Sequence, residues 1–162
     1  TKKIEKIKSL IPDASIGVDV IVGYPSESES DFFETYNYLN NLKISYLHVF
    51  PYSERENTRA VKINDKIDYQ LRVKRSQMLR ILSKKKSRKF SYDNLNTIRN
   101  VLFEKDIKGD FIYGYTENYI RVKTKYDNKL INEIIPCSLN SIDTDNVVKV
   151  EKLIYNPKTI KV

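Results

Sequence analysis

The 162-residue chain carries 29 Lys and Arg against 21 Asp and Glu, a formal net charge of +8, with 40% hydrophobic residues, one cysteine and one histidine. That length suits one domain, or a partial domain joined to a small second one, and the composition suits a globular core rather than a low-complexity chain. No run approaches the roughly 18–20 apolar residues of a membrane-spanning helix, a lone Cys137 closes no intramolecular disulfide, and Cys137 with His48 cannot complete a zinc site or hold an iron–sulfur cluster. The chain is therefore expected to be a cytoplasmic monomer with no membrane partner and no metal of its own. A Cys–His nucleophile pair remains formally open, but the apolar stretch around Cys137 suits an inert buried thiol better.

In chain order, Ile4, Ile7, Leu10 and Ile11 share one face of a first helix, which Pro12-Asp13 ends. An opening at Thr1 inside a helical pattern predicts a piece of a longer polypeptide. Residues 15–23 (SIGVDVIVG) form a nearly continuous β-branched run, the pattern of a strand buried on both faces of a parallel sheet. Ser28 or Ser30 can cap the next helix, where Glu29, Asp31 and Glu34 suit its N-terminal dipole; it carries Phe32, Phe33, Tyr36 and Leu39 and fades near Asn40-Asn41. A second apolar run follows at 45–52. Helix–strand–helix–strand with short links reads as a parallel α/β unit. Two strands are too few for such a sheet, so the others are expected upstream.

Residues 66–92 form a long helical candidate with Leu71, Met78, Leu79 and Leu82 as an apolar stripe and Asp65 or Asp68 at its N-terminus. Between Arg72 and Lys89 it has nine basic residues and no acidic one. The basic excess is concentrated there: residues 61–108 hold 14 Lys and Arg against 5 Asp and Glu, whereas residues 1–60 hold 7 against 9 and residues 109–162 hold 8 against 7. Such a stripe attracts polyanions by counterion release, although a solvated helix face is the plainer alternative. From about residue 95 the period changes to two, and strands are predicted at 98–104, 111–115, 119–126, 131–139 and 147–154. Five short antiparallel strands suggest a small OB-type barrel, an architecture that often binds single-stranded nucleic acid.

Several residues stand out at the strand ends. Gly23-Tyr24-Pro25 closes the first strand, where parallel α/β folds bind ligands, and Gly23 allows close backbone approach; a plain turn would look the same. Asp19 interrupts an apolar strand and either points into a polar interior or pairs with an upstream group. Phe50 and Tyr52 end the second strand and suit either an adenine-like ring or core packing, and Arg55 and Thr58 follow in a loop where an arginine can grip a phosphate. Further on, Arg121, Lys123 and Lys125 alternate on one strand near Tyr113, Tyr115 and Tyr119, a basic–aromatic pattern that fits RNA.

Three of these runs carry a resemblance. Asp19-Val20-Ile21-Val22-Gly23-Tyr24-Pro25-Ser26-Glu27, then Ser30-Asp31-Phe32, resembles the D-x-I-V-G-F-P-G-E-T-x-x-D-F pattern of the radical S-adenosylmethionine methylthiotransferases. The run from Tyr46 to Thr58 (YLHVFPYSERENT) is similar to their F-x-Y-S-x-R-x-G-T strand and loop, and Gly114 to Val122 (GYTENYIRV) to the G-x-T-x-N-Y-x-x-V signature of the TRAM domain. The wording S-Y-L-H-V-F looks closest to the branch acting on N6-threonylcarbamoyladenosine at tRNA position 37; sister branches act on isopentenyladenosine in tRNA or on an aspartate of a ribosomal protein. Ser26, Pro51 and Asn57 depart from the usual Gly, Thr or Ile, and Gly, and Asn57 tolerates the left-handed backbone that its turn needs.

The resemblance implies a full enzyme with two [4Fe-4S] clusters, one cleaving S-adenosylmethionine to a radical and the other donating sulfur, and a second S-adenosylmethionine supplying the methyl group. None of the cluster cysteines is in this chain, so it is expected to be inactive alone, with no catalytic residue and no bound cofactor. The expected fold is α/β plus all-β: residues 1–65 the end of a radical (β/α) partial barrel, 66–94 a basic connecting helix, and 95–162 a five-stranded OB-like TRAM barrel. Gly23, Tyr24, Pro25, Phe50 and Tyr52 are expected beside the cofactor. Arg55, Arg72, Lys74, Arg75, Lys84, Lys85, Lys86, Arg88, Lys89, Tyr119, Arg121 and Lys123 are expected to contact tRNA, and the missing N-terminal part of the same polypeptide is the other partner. A free-standing, non-catalytic RNA-binding module and a ribosomal-protein aspartate methylthiotransferase are the rival readings.

Overall fold

The computed structural model describes residues 1–153. The chain falls into two units, Thr1–Lys89 and Phe90–Val162, and the division lies within one long helix. Among the described residues no helix is long and apolar enough to cross a membrane.

The first unit runs α1 (Lys2–Leu10), β1 (Gly17–Val22), α2 (Glu29–Asn41), β2 (Tyr46–Pro51), a short 3-10 turn at Ala60–Lys62, and most of α3 (Tyr69–Asp93). β1 and β2 pair in parallel, from Gly17 opposite Tyr46 to Val22 opposite Pro51. A parallel pair needs a crossover, and α2 supplies it. Its start is fixed by a capping box: Asp31 N–H donates to Ser28 Oγ (3.1 Å), and Ser28 N–H donates back to Asp31 Oδ2 (2.9 Å). At its other end Lys86 Nζ, from α3, donates to the carbonyls of Asn40 (3.1 Å) and Leu42 (2.8 Å), placing a cation on the negative end of the helix dipole.

Alternation along the strands sends Val22, Leu47 and Val49 into a core with Phe32 and Leu39 of α2 and Leu79 and Leu82 of α3. The other face is open: Asp19 lies opposite His48 and Ile21 opposite Phe50, with Ile21 62% and Phe50 51% exposed. The strand expected to be covered on both faces is thus covered on one within this chain, and Asp19 stands on the uncovered side. The first helix differs in the same way. Ile4 packs against the core, whereas Ile7, Leu10 and Ile11 are exposed.

One edge of the pair is closed by a side chain. Leu47 N–H donates to Ser83 Oγ (2.8 Å), and Ser83 Oγ donates to Leu47 C=O (2.9 Å), so a helix hydroxyl stands in for a neighbouring strand. Asp68 caps the start of α3 through Gln70 N–H (2.8 Å). The buried face of α3 is more polar than the expected apolar stripe. Leu79 and Leu82 are buried and Leu71 is 37% exposed, while Arg72, Arg75 and Ser76 are buried. The helix lies against strand ends and a strand edge, where backbone carbonyls require donors rather than methyl groups.

The second unit holds β3 (Ile98–Lys108), β4 (Phe111–Thr116), β5 (Arg121–Lys125), a 3-10 turn (Asn128–Leu130), β6 (Ile134–Ile142) and β7 (Val148–Lys152). They close into a five-stranded barrel in the order β3-β4-β5-β7-β6. The strands were expected to be antiparallel throughout, but β5 and β7 pair in parallel. Five strands cannot alternate direction all the way around a closed ring, so one parallel seam is unavoidable. β3 is longer than predicted because a bulge between Phe103 and Asp106 lets one strand serve two neighbours, β4 and β6. The strand predicted at 131–139 begins only at Ile134, because Asn132, at φ 61°, turns the chain first. Of the last predicted strand, Ile154 lies outside the described residues. Val101, Phe103, Ile112, Val122, Cys137, Leu139 and Val148 fill the barrel with no exposed surface.

Candidate functional site

Within the first unit, the C-terminal ends of both strands converge on α3. Arg72 reaches back with its whole guanidinium: Nε donates to Ile67 C=O (2.9 Å), Nη1 to Tyr52 C=O (3.1 Å), and Nη1 and Nη2 to the two Glu54 oxygens (3.2 and 2.8 Å). That fork holds the Glu54 carboxyl down to about 2, the Arg72 hydrogen bonds being the main cause. Arg75, one turn on, donates through Nη1 to Glu27 Oε2 (2.6 Å) and to Glu27 C=O (2.9 Å), and the same Glu27 oxygen accepts from Gly23 N–H (2.8 Å). Each strand-end motif therefore ends in an acid that anchors one arginine of the helix.

Gly23 has φ 78°, and a Cβ there would meet Arg72 Cγ at 2.5 Å. The space that a missing side chain leaves is filled by the helix, not left for a ligand. Pro25 is buried. Tyr24 and Tyr52 meet edge to face at 5.4 Å, Arg72 lies 5.6 Å from the Tyr52 ring, and Tyr24 and Phe50 are about half exposed. Among the described residues, the buried Tyr52 hydroxyl has no hydrogen-bond partner. Arg55 lies in the exposed loop that follows, where Thr58 N–H and Oγ1 both bond its carbonyl (3.3 and 2.8 Å). Asn57, two residues on, sits at φ 65°, and Ser26 at φ 67°. Both departures from glycine keep the left-handed backbone.

The nine basic residues of α3 divide by helical face. Arg72 and Arg75 are buried in ion pairs and Lys86 is half-buried at the end of α2, where desolvation lowers its pKa. Lys74, Arg80, Lys84, Lys85, Arg88 and Lys89 are exposed. Sequence reasoning missed Glu27 and Glu54. The available signal was that each closes a strand-end motif while the helix opposite has no acid between Arg72 and Lys89.

In the barrel, the outward residues of β4 and β5 form three cross-strand rungs, each an aromatic ring opposite a cation: Phe111 and Lys125, Tyr113 and Lys123, Tyr115 and Arg121. The Arg121 guanidinium lies 4.8 Å from the Tyr115 ring and 5.2 Å from Tyr113, and Lys123 Nζ 5.1 Å from Phe111. Both cations are also paired, Arg121 with Asp106 and Lys123 with Asp143. The Asp143 hydrogen bond raises the Lys123 pKa, with burial opposing it. Tyr119, in the turn between the two strands, is 76% exposed at φ 63°. Cys137 is fully buried, and desolvation pushes its thiol up to about 11, as an unreactive core thiol requires. Among the described residues, no group of three or more His, Cys, Asp or Glu is gathered to hold a metal ion.

No family model matches the chain. It is 35% identical over 137 residues to the threonylcarbamoyladenosine tRNA methylthiotransferase MtaB of Bacillus subtilis (strain 168), covering 82% of this chain and 30% of that protein. It is 45% identical over 80 residues to the tRNA-2-methylthio-N(6)-dimethylallyladenosine synthase of Syntrophus aciditrophicus (strain SB), covering 49% of this chain and 17% of the relative. To the ribosomal protein uS12 methylthiotransferase RimO of Alkaliphilus oremlandii (strain OhILAs) it is 31% identical over 144 residues, 84% of this chain and 33% of the relative. The chain thus spans a third or less of the length of these curated relatives. Similarity to three kinds of methylthiotransferase, two of them across more than four-fifths of the chain, agrees with the strand-end and barrel motifs: the chain belongs to the radical S-adenosylmethionine methylthiotransferase family.

Proposed function

We propose that this chain is the C-terminal part of a cytoplasmic tRNA methylthiotransferase that modifies C2 of N6-threonylcarbamoyladenosine at position 37, and that this part grips tRNA and lines one side of the cofactor pocket. The observation that carries the substrate reading is the similarity, over 82% of the chain, to a relative whose name specifies threonylcarbamoyladenosine in tRNA. In this reading residues 1–65 end the radical barrel and residues 95–162 form the TRAM barrel. The exposed cations of α3 (Lys74, Arg80, Lys84, Lys85) support a phosphate contact, since no residue from Arg72 to Lys89 is acidic.

The strand ends fit one wall of an S-adenosylmethionine site: Tyr24 and Phe50 present exposed rings, and the buried Tyr52 hydroxyl lacks a partner among the described residues. Arg72 and Arg75 then act as positioning residues, holding Tyr52, Glu54 and Gly23 in place. When bound, S-adenosylmethionine and two [4Fe-4S] clusters supply the radical, sulfur and methyl chemistry. The clusters do not fit on this chain, whose one cysteine is buried in the barrel core, so their ligands belong to the rest of the enzyme.

The test is nucleoside analysis by mass spectrometry. The full-length gene, expressed in cells lacking their own 2-methylthio activity, should convert threonylcarbamoyladenosine in tRNA to its 2-methylthio form. Modification of isopentenyladenosine, or of a ribosomal protein with tRNA unchanged, would overturn the substrate assignment. For the binding half, Lys84→Glu with Lys85→Glu should weaken tRNA binding by about tenfold and flatten its salt dependence.

A further inference from the structure

We infer that Tyr119 is a rigid stacking platform for one unpaired nucleobase, so that the barrel holds RNA through a ring contact rather than through the charges on the same hairpin. The inference rests on the RNA-binding reading above and sharpens it to single-stranded substrate at a named residue.

The argument starts from what the fold does and does not need at this turn. Position 119 has φ 63°, a conformation that asparagine or glycine adopts at low cost and a tyrosine adopts at a penalty of about 1 kcal/mol. The ring returns nothing to the core, being 76% exposed. The turn is held from beneath by buried polar groups. Tyr119 N–H donates to Thr116 C=O (2.9 Å), Ile120 N–H to Thr116 Oγ1 (2.9 Å), Thr116 Oγ1 to Asn118 Oδ1 (2.7 Å), and Asn118 Nδ2 to Asn94 Oδ1 (3.0 Å). Thr116, Asn118 and Asn94 are all less than a tenth exposed. The motif around Tyr119 is therefore accounted for by the turn, while its most exposed side chain is not.

Charge around the turn points to a base. Glu117, the one acid in the turn, is drawn to Arg99 (3.7 Å). Arg121, which follows the turn, is held on the Tyr115 and Tyr113 rings and paired with Asp106, so it is less available to phosphate. What the hairpin offers at this end is the exposed Tyr119 ring, and every nucleobase can stack on an aromatic face without sequence preference.

The experiment uses the whole 162-residue chain and fluorescence anisotropy at several salt concentrations. The probes are oligoadenylate of about 12 nucleotides, a length suited to one small barrel, and an RNA duplex of equal length. Base stacking is worth about 1–3 kcal/mol, so Tyr119→Ala should weaken oligoadenylate binding by roughly tenfold. The salt slope and duplex affinity should stay unchanged, and Tyr119→Phe should bind as the parent does. Tyr119→Asn, which suits the left-handed backbone, should lose affinity equally while melting no lower, which separates lost stacking from lost fold. Parent-like binding by Tyr119→Ala and Tyr119→Asn, with Lys84→Glu/Lys85→Glu still weakened, overturns the platform and leaves the RNA reading standing. An equal loss on duplex and single strand also overturns it. No affinity of the parent chain for either RNA overturns both.

Discussion

Arginine does opposite work in the two units. In the first, Arg72 and Arg75 are turned inward and bond strand-end carbonyls and carboxylates. In the second, Arg121 lies on the outer surface against tyrosine rings. The cause is the backbone. A parallel pair open at its ends leaves carbonyls that a packed helix must supply with donors, whereas a closed barrel bonds its strands to one another and leaves its cations outside. A run of positive charge in a sequence therefore says little about RNA until the backbone groups nearby have been satisfied.

The comparison can be broken most severely at the barrel. A Cβ on Gly114 would run into the Leu102 carbonyl oxygen, a backbone atom that cannot swing aside. Gly114→Ala should cost about 3 kcal/mol in urea denaturation; a loss below half of that would mean the β3–β4 approach is looser than described. Arg72→Met should cost about 2 kcal/mol, because two partly buried carbonyls and the Glu54 carboxylate lose their donor. Arg121→Met should cost no more than about 0.5 kcal/mol, as expected of a partly exposed ion pair. Equal losses for the two arginine variants would erase the distinction between the units.

Acid tests the Arg72 fork from its other side. Glu54 titrates near 4.5 when unfolded and near 2 in the fold, so its contribution is complete above about pH 4.5 and is lost as pH falls through about 2. Glu54→Gln should therefore remove one step from the acid limb of the stability curve between those values and lower the neutral plateau without changing its slope. An unchanged acid limb would show that the Arg72 fork is not held in solution.

Much of this was legible beforehand. Period-two alternation located five strands because inward and outward residues of a barrel must alternate, and Ser28, Asp68 and the left-handed Asn57 declared their turns through local chemistry. Two things were not legible. The inward face of α3 shows no clean apolar stripe, because Arg72, Arg75 and Ser83 serve backbone carbonyls that lie 20, 48 and 36 residues away in sequence. In addition, Lys123 and Arg121 read as free cations until Asp143 and Asp106 are brought beside them by the fold. The G-x-T-x-N-Y run was recognisable as a signature, but its division of labour was not: Gly114 for close approach, Thr116 and Asn118 for the turn, and Tyr119 facing outward.

The Ser83 hydroxyl on β2 has a consequence for self-association. Strand edges with free backbone groups are templates on which another chain can add itself, the first step of amyloid-like growth. On the outer edge of β2, Leu47 already has both its backbone groups engaged by Ser83. Two positions past the strand's middle stands Pro51, which has no amide to offer; Tyr52 N–H points to Val22 of β1, so alternation turns the Pro51 position outward. Templated growth along β2 is therefore disfavoured at these positions, and β2 is not the strand on which a solubilising charge is needed.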